Sequence, residues 1–280
     1  MIYYVFPDGG RMPMIGLGTY GLRGEDGARC VLEALDMGYR HLDTAATYEN
    51  EREVGRGMAL SQVSREEIFL TTKVDREDLC YDRFIASCES SLERLNTDYV
   101  DLLLVHWPNR EVPIEETLRA AQRLVEQGKA RRFGVSNFIR PYLEEAVGAD
   151  RLPIATNQVE YHPYLNQKGL LRYCLEKRIL LTAYSPLGHG KGHVLNDPVL
   201  QEISQRIGRT VAQVALRWLL QKGIAVIPKS ASRSRMAENL AAADFELEEG
   251  LAQRIEALEE RKRLIDWWPG DFEKDPGAFE

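Results

Sequence analysis

Short apolar runs along this chain alternate with segments in which apolar residues recur every three or four positions, and the alternation repeats eight times. The runs predict strands at residues 14–17, 41–43, 68–73, 100–106, 132–136, 156–160, 180–184 and 225–228. Between and after them, helical periodicity predicts helices at 25–37, 50–60, 83–95, 114–127, 141–147, 168–177, 211–222 and 234–243. Two extra helical patterns lie at 198–207 and 248–261. Residues 3–6 and 11–13 flank the turn Pro-Asp-Gly-Gly and read as a small hairpin capping one end of the core. The tail, 262–280, with Trp267, Trp268, Pro269 and Pro276, reads as irregular.

Eight βα units in about 230 residues match the size of a (β/α)8 TIM barrel, and no linker or composition shift divides them. The expectation is one α/β barrel domain over residues 1–280, with an N-terminal β-hairpin and two extra helices. That fold gives meaning to a series of polar residues. Asp43, Lys73, His106, Ser136 with Asn137, Gln158 with Glu160, Tyr184 with Ser185, and Lys229 with Ser230 all fall at or just past predicted strand ends. In a barrel those ends form one rim, where active sites of this fold sit.

The stretch Gly38 to Glu51, GYRHLDTAATYENE, carries the densest chemistry. A carboxylate at the end of a buried strand is costly unless paired, so Asp43 needs a cation or donors, and Lys73 is the candidate. A phenol beside such a lysine is expected to have its pKa, normally about 10, lowered, which makes Tyr48 a candidate proton donor. Asn50 reads as the cap of the following helix. A lone histidine at a strand end is more often structural, but His106 shares the rim with Asp43, Tyr48 and Lys73.

Composition narrows the partners. A net charge of −7 argues against a nucleic acid or an acidic membrane surface and leaves small molecules. The N-terminus, MIYYVFPDGG, has neither a basic region nor an apolar one, and the strongest apolar run, 100–105, is too short to span a bilayer. A cytoplasmic protein is expected. Cys30, Cys80, Cys88 and Cys174 form no CxxC pair and no metal-ligand spacing, which points to reduced, structural thiols.

One local basic cluster runs against the overall charge. Residues 227–239, IPKSASRSRMAEN, set Lys229, Ser230, Ser232 and Arg235 around the start of the last barrel helix. Cations, hydroxyls and free helix N–H groups make an anion site, and the loops after strands seven and eight are a recurrent phosphate site in barrels. The loop 185–193, SPLGHGKGH, is rich enough in glycine to fold over a pyrophosphate, and Tyr184 before it offers a flat face to a nicotinamide. A competing signal is GLGTYG, 16–21, a GxGxxG after a predicted strand with Asp43 about 20 residues on. Its helix starts too late to hold a pyrophosphate, and the basic cluster lies at the other end of the chain. A barrel metallohydrolase using His41, Asp43 and His106 is a further alternative, short of well-spaced ligands.

Taken in order, GYRHLDTAATYENE, FLTTK, LLLVHWP, GVSNF, NQVEYHP, AYSPLG and IPKSASRSRMAEN resemble the motifs of the aldo-keto reductases, from Met14 to about Phe245. The likeness is greatest to the shorter prokaryotic members, including the 2,5-diketo-gluconate reductase type. The resemblance implies NADPH extended across the C-terminal face of the barrel. It implies a catalytic tetrad in which Tyr48 is the general acid, Lys73 and Asp43 tune it, and His106 orients the carbonyl. It further implies that Ser136, Asn137 and Gln158 hold the carboxamide and Tyr184 stacks on the nicotinamide, with Ser185 and Leu187 in the loop beyond also binding the cofactor. Lys229, Ser230, Ser232 and Arg235 would hold the 2′-phosphate, with Glu238 and Asn239 beside the adenine. Tyr20, standing where many relatives carry Trp, and Trp107 would line an aromatic substrate mouth, to which the tail tryptophans are candidates to contribute. The expected activity is NADPH-dependent reduction of aldehydes and ketones by a monomer. A cofactor-binding regulatory or sensor protein on the same fold is the alternative.

Overall fold

A computed structural model describes residues 1–188, 194–258, 262–265, 271–275 and 277. The expectations placed on Trp267, Trp268, Pro269 and Pro276, on the glycine-rich loop beyond Gly188, and on the end of the 248–261 helix fall outside these residues. The chain opens with a hairpin, β1 (Tyr3–Val5) paired antiparallel with β2 (Arg11–Pro13). The Asp8 carboxylate ties the turn by accepting from Gly10 N at 2.8 Å. Phe6, buried beneath it, stacks on Phe69 at the start of β5 (Phe69–Val74), so the hairpin closes the N-terminal end of the barrel.

With β5, seven more strands form one parallel sheet in sequence order: β3 (Leu17–Gly18), β4 (His41–Asp43), β6 (Leu102–Val105), β7 (Phe133–Ser136), β8 (Ile154–Glu160), β9 (Leu180–Tyr184) and β10 (Ala225–Val226). Every residue of β6, Leu-Leu-Leu-Val, is buried, as expected of a strand covered on both faces. The sheet closes where parallel bridges join Ile15 to Val226 and Gly18 to Lys229. Gly18 suits that seam, since a Cβ there would lie 2.7 Å from the Ile227 carbonyl oxygen. The seam also explains why the outer two strands are shorter than predicted: their remaining pairing runs through isolated bridges rather than a continuous ladder.

The connecting helices are α1 (Gly24–Asp36), α2 (Glu51–Leu60), α3 (Tyr81–Leu95), α4 (Ile114–Glu126), α5 (Arg140–Gly148) and α6 (Lys168–Glu176). After β9 come α7 (Pro198–Ile207) and α8 (Val211–Gln221), and after β10 come α9 (Arg233–Leu240) and α10 (Glu249–Glu256). Helices α7 and α10 are the two extra ones. Asp197 caps α7 through Leu200 N, and a Thr210–Gln213 capping box starts α8. Asn50 departs from its expected role. It stands at the head of α2, yet its side chain makes no cap bond. Its amide instead donates to the carbonyls of Thr19 and Leu22 at 2.7 and 3.0 Å and accepts from Thr44 Oγ1 at 2.9 Å. It ties the loop after β3 to the loop after β4. No described helix is long and apolar enough to cross a membrane, and all four cysteines are unbridged.

Candidate active site

Asp43 is the last residue of β4 and Lys73 the fifth of β5's six, and the two residues are 1% and 0% exposed. Lys73 Nζ donates to Asp43 Oδ1 at 2.5 Å and to the Thr44 carbonyl at 2.8 Å, and its third partner is the Tyr48 hydroxyl at 3.4 Å. Gln158 Nε2 donates to the other Asp43 oxygen at 2.7 Å. An ammonium has three protons, and all three have acceptors here. A buried ion pair survives its desolvation only when its remaining donors and lone pairs are satisfied in this way.

Tyr48 closes a 3₁₀ turn, Ala46–Tyr48, and Glu49 after it takes the left-handed conformation at φ 53°. The expectation of a lowered phenol pKa is reversed. Burial raises it, and the opposing attraction of the Lys73 charge does not cancel the effect. The phenol therefore keeps its proton at neutral pH, which is the state a proton donor needs. For Lys73, burial acts to lower the pKa, but attraction from Asp43 and Tyr48 outweighs it and the ammonium is stabilised.

His106 follows β6, its backbone N–H bonded to the Val74 carbonyl at 2.9 Å and its own carbonyl to Asn137 Nδ2 at 3.0 Å. Its ring lies 5.5 Å from that of Tyr48, edge to face. Burial, aided by the Lys73 charge, pushes its pKa down to about 3, so the imidazole is neutral. Nδ1 lies 3.1 Å from Thr47 Oγ1. With that hydroxyl donating, the ring proton sits on Nε2.

These groups open onto a cavity of about 940 Å³. Ser136, Asn137 and Gln158 form one wall and are bonded among themselves: Ser136 Oγ to the Gln158 carbonyl at 2.8 Å, and Asn137 Nδ2 to Ser136 Oγ at 3.1 Å. Tyr184 OH donates to Asn137 Oδ1 at 2.9 Å, which fixes the aromatic face beside that wall. Burial holds its phenol pKa well above the usual value, so this bond keeps its proton. Ser185 and Leu187 also line the cavity, Ser185 with a left-handed backbone at φ 49°. Tyr20 and Trp107 also line it, Trp107 buried and Tyr20 57% exposed and packed edge-on to Tyr48 at 5.1 Å.

Lys229, Ser230, Ser232 and Arg235 reach the same cavity from the loop before α9 and its first turn. Lys229 and Arg235 are exposed and, among the described residues, make no ion pair. Ser232 stands at the cap position without a side-chain cap bond, leaving first-turn N–H groups of α9 open. Two uncommitted cations, open helix N–H groups and a flat tyrosine joined to a wall of amides fit an anionic dinucleotide. Glu238 and Asn239 lie further along α9, outside the cavity lining, with Asn239 buried and the Glu238 carbonyl accepting from Gln213 Nε2.

The cavity also includes residues to which the sequence assigned no role. Thr47 stands one place before Tyr48, and only its bond to His106 marks it. Asp75 and Ile265 line the cavity, the latter brought in from the tail, where no pattern marked it. His41, the third ligand of the metallohydrolase alternative, is committed elsewhere, with its nitrogens 3.2 Å from the Pro13 carbonyl and 3.3 Å from Thr71 Oγ1.

The model of the Aldo/keto reductase family matches residues 14–260. Glyoxal reductase of Bacillus subtilis is 43% identical over 258 residues, 92% of each chain. Morphine 6-dehydrogenase of Pseudomonas putida is 38% identical over 269 residues, 92% of this chain and 91% of that one. The crystal structure of an aldo-keto reductase enzyme from a Medee basin deep-sea metagenome library superposes with a TM-score of 0.92 at 37% identity, covering 95% of this chain and 97% of that chain.

Proposed function

This chain belongs to the aldo/keto reductase family, a family of oxidoreductases, and on that premise we propose that it reduces aldehydes and ketones to alcohols with NADPH, Tyr48 acting as the general acid. The observation that carries the reading is the Tyr48 hydroxyl within 3.4 Å of a fully buried, Asp43-paired ammonium, at one end of a cavity whose other end is lined by Lys229 and Arg235. NADPH, when bound, supplies the hydride. The chain's own residues then have separable tasks. Lys229, Ser230, Ser232 and Arg235 hold the 2′-phosphate, Ser136, Asn137 and Gln158 the carboxamide, and Tyr184 the ring face. His106, neutral, donates from Nε2 to the carbonyl oxygen as negative charge grows there. Tyr48 delivers the proton to that oxygen, and the Lys73 ammonium stabilises the phenolate left behind.

The name of the Bacillus subtilis relative points to small dicarbonyls, and one residue of this chain agrees with a neutral substrate. Asp75 lines the cavity, its Oδ1 accepting from Glu77 N at 3.3 Å; it makes no ion pair among the described residues and would repel a carboxylate-bearing carbonyl. NADPH preference over NADH, a monomeric state, a cytoplasmic location and one barrel domain complete the proposal.

The test is titration with NADPH and NADH, followed by loss of reduced-nicotinamide absorbance on adding glyoxal-type dicarbonyls, simple aldehydes and 2-oxo acids. Oxidation of NADPH by neutral carbonyls is expected. Tyr48→Phe should keep NADPH binding and lose about 10² to 10⁴ in kcat, the usual worth of a positioned acid. NADPH binding with no turnover on any carbonyl would transfer the assignment to a cofactor-binding sensor.

A further inference from the structure

Glu160 ends β8 on the same rim as the tetrad, and the chemistry proposed above gives it no part. Its side chain is fully buried, so its charge has to be matched by fixed donors. Those donors come from two places. His162 Nε2 lies 3.0 Å from Oε1. The others are backbone groups of the tail, with Leu264 N donating to Oε1 at 2.8 Å and Ile265 N to Oε2 at 3.1 Å. Two consecutive tail amides thus each take one oxygen of a single carboxylate. The Arg263 guanidinium lies 3.8 Å from Oε2 and stacks at 3.5 Å on the ring of Phe272, which in turn packs against Trp107. Ile265, 6% exposed, lines the cavity beside the catalytic groups.

Strand β8 therefore carries two anchors, two residues apart and so on one face of the strand. Gln158 holds Asp43, and Glu160 holds the tail. We propose that Glu160 is a positioning residue that fixes residues 264 and 265 as a wall of the substrate pocket, and so sets the preference for larger apolar carbonyl substrates. The proposal rests on the reductase reading for its substrate consequence, while the latch itself does not depend on it. Only a carboxylate accepts at both oxygens. Glu160→Gln keeps the shape but turns an NH₂ group toward one of the two tail amides, donor against donor.

Two measurements test this. Hydrogen exchange at one or both of the amides of residues 264 and 265 should speed up at least about 10-fold in Glu160→Gln, the scale expected on losing a bond to a charged acceptor. In the second, phenylglyoxal and methylglyoxal are compared as substrates. Glu160→Gln should lower kcat/KM for phenylglyoxal about 10-fold through KM, as loss of a few apolar contacts does. Its kcat, its methylglyoxal kinetics and its affinity for NADPH should stay close to those of the unsubstituted enzyme. Ile265→Ala should reproduce that loss, and the double variant should add little to it, because both act through one wall.

Unchanged exchange at residues 264 and 265 would overturn the latch. Equal losses for the two substrates, or full additivity in the double variant, would overturn its role in specificity. If the unsubstituted enzyme turned over neither carbonyl, the reductase reading would fail and the exchange measurement would still decide the latch.

Discussion

At one end of the cavity Asp43 and Lys73 are 1% and 0% exposed, and each ammonium proton and each carboxylate oxygen has a partner within the protein. At the other end Lys229 and Arg235 stand exposed, with no ion pair among the described residues. Both ends use cations, but for opposite purposes. A buried pair is worth having where charge must be waiting in fixed geometry when a reaction creates more of it, because no solvent then has to reorganise. Exposed cations contribute little to folding, and remain available for a ligand whose charge is large enough to bind them from water. The first arrangement suits a transition state, the second an arriving anion.

Removing one partner at the buried end is the stronger disturbance. Lys73→Met leaves the Asp43 carboxylate buried with Gln158 as its remaining side-chain donor. Orphaning one member of such a pair typically costs about 3 to 5 kcal/mol. A stability loss of that size in urea titration is expected, together with loss of turnover as the Tyr48 phenolate loses its nearest cation. A variant as stable as the parent would mean that the pair contributes nothing net and that the two ends differ less than their geometry implies.

The open end should answer differently to the same kind of change. Arg235→Ala is expected to leave stability unchanged, since the side chain is exposed and unpaired among the described residues. Its effect should appear in cofactor choice. NADPH binding should weaken about 10-fold while NADH binding holds, because only NADPH has a 2′-phosphate to lose a charge-assisted bond. Added salt should weaken NADPH binding to the parent more than to the variant. An equal effect on both nucleotides would remove Arg235 from the phosphate site.

The same contrast explains what was legible in the sequence. Residues at the buried end sit at ends of strands whose every residue is inside, so the apolar runs themselves marked where Asp43, Lys73 and His106 would meet. The seam strands were overextended, because their pairing depends on bridges to distant residues that periodicity does not register. The phenol pKa was read in the wrong direction, because a motif reveals a neighbouring lysine and not the depth of burial that outweighs it. Asn50 looked like a helix cap, and only the fold brings Thr19 and Leu22 to its amide. Ile265 had no local signal at all. It reaches the cavity through a carboxylate more than a hundred residues earlier.

The smallest expected effect concerns pH, and it probes the buried end alone. Burial holds His106 at about 3 and His41 at about 4, against about 6.5 in an unfolded chain. Both folded values are depressed, so between roughly pH 4 and 6.5 the unfolded chain binds protons that the folded one refuses. Stability must then rise with pH across that window and fall as the solution is acidified from neutral. Each histidine contributes at most about 1.4 kcal/mol per pH unit. His106→Gln should therefore flatten the loss of stability between pH 6.5 and 5 in urea titrations. Equal slopes for parent and His106→Gln would mean that the imidazole is hydrated enough to take a proton, and that the catalytic end is wetter than its packing describes.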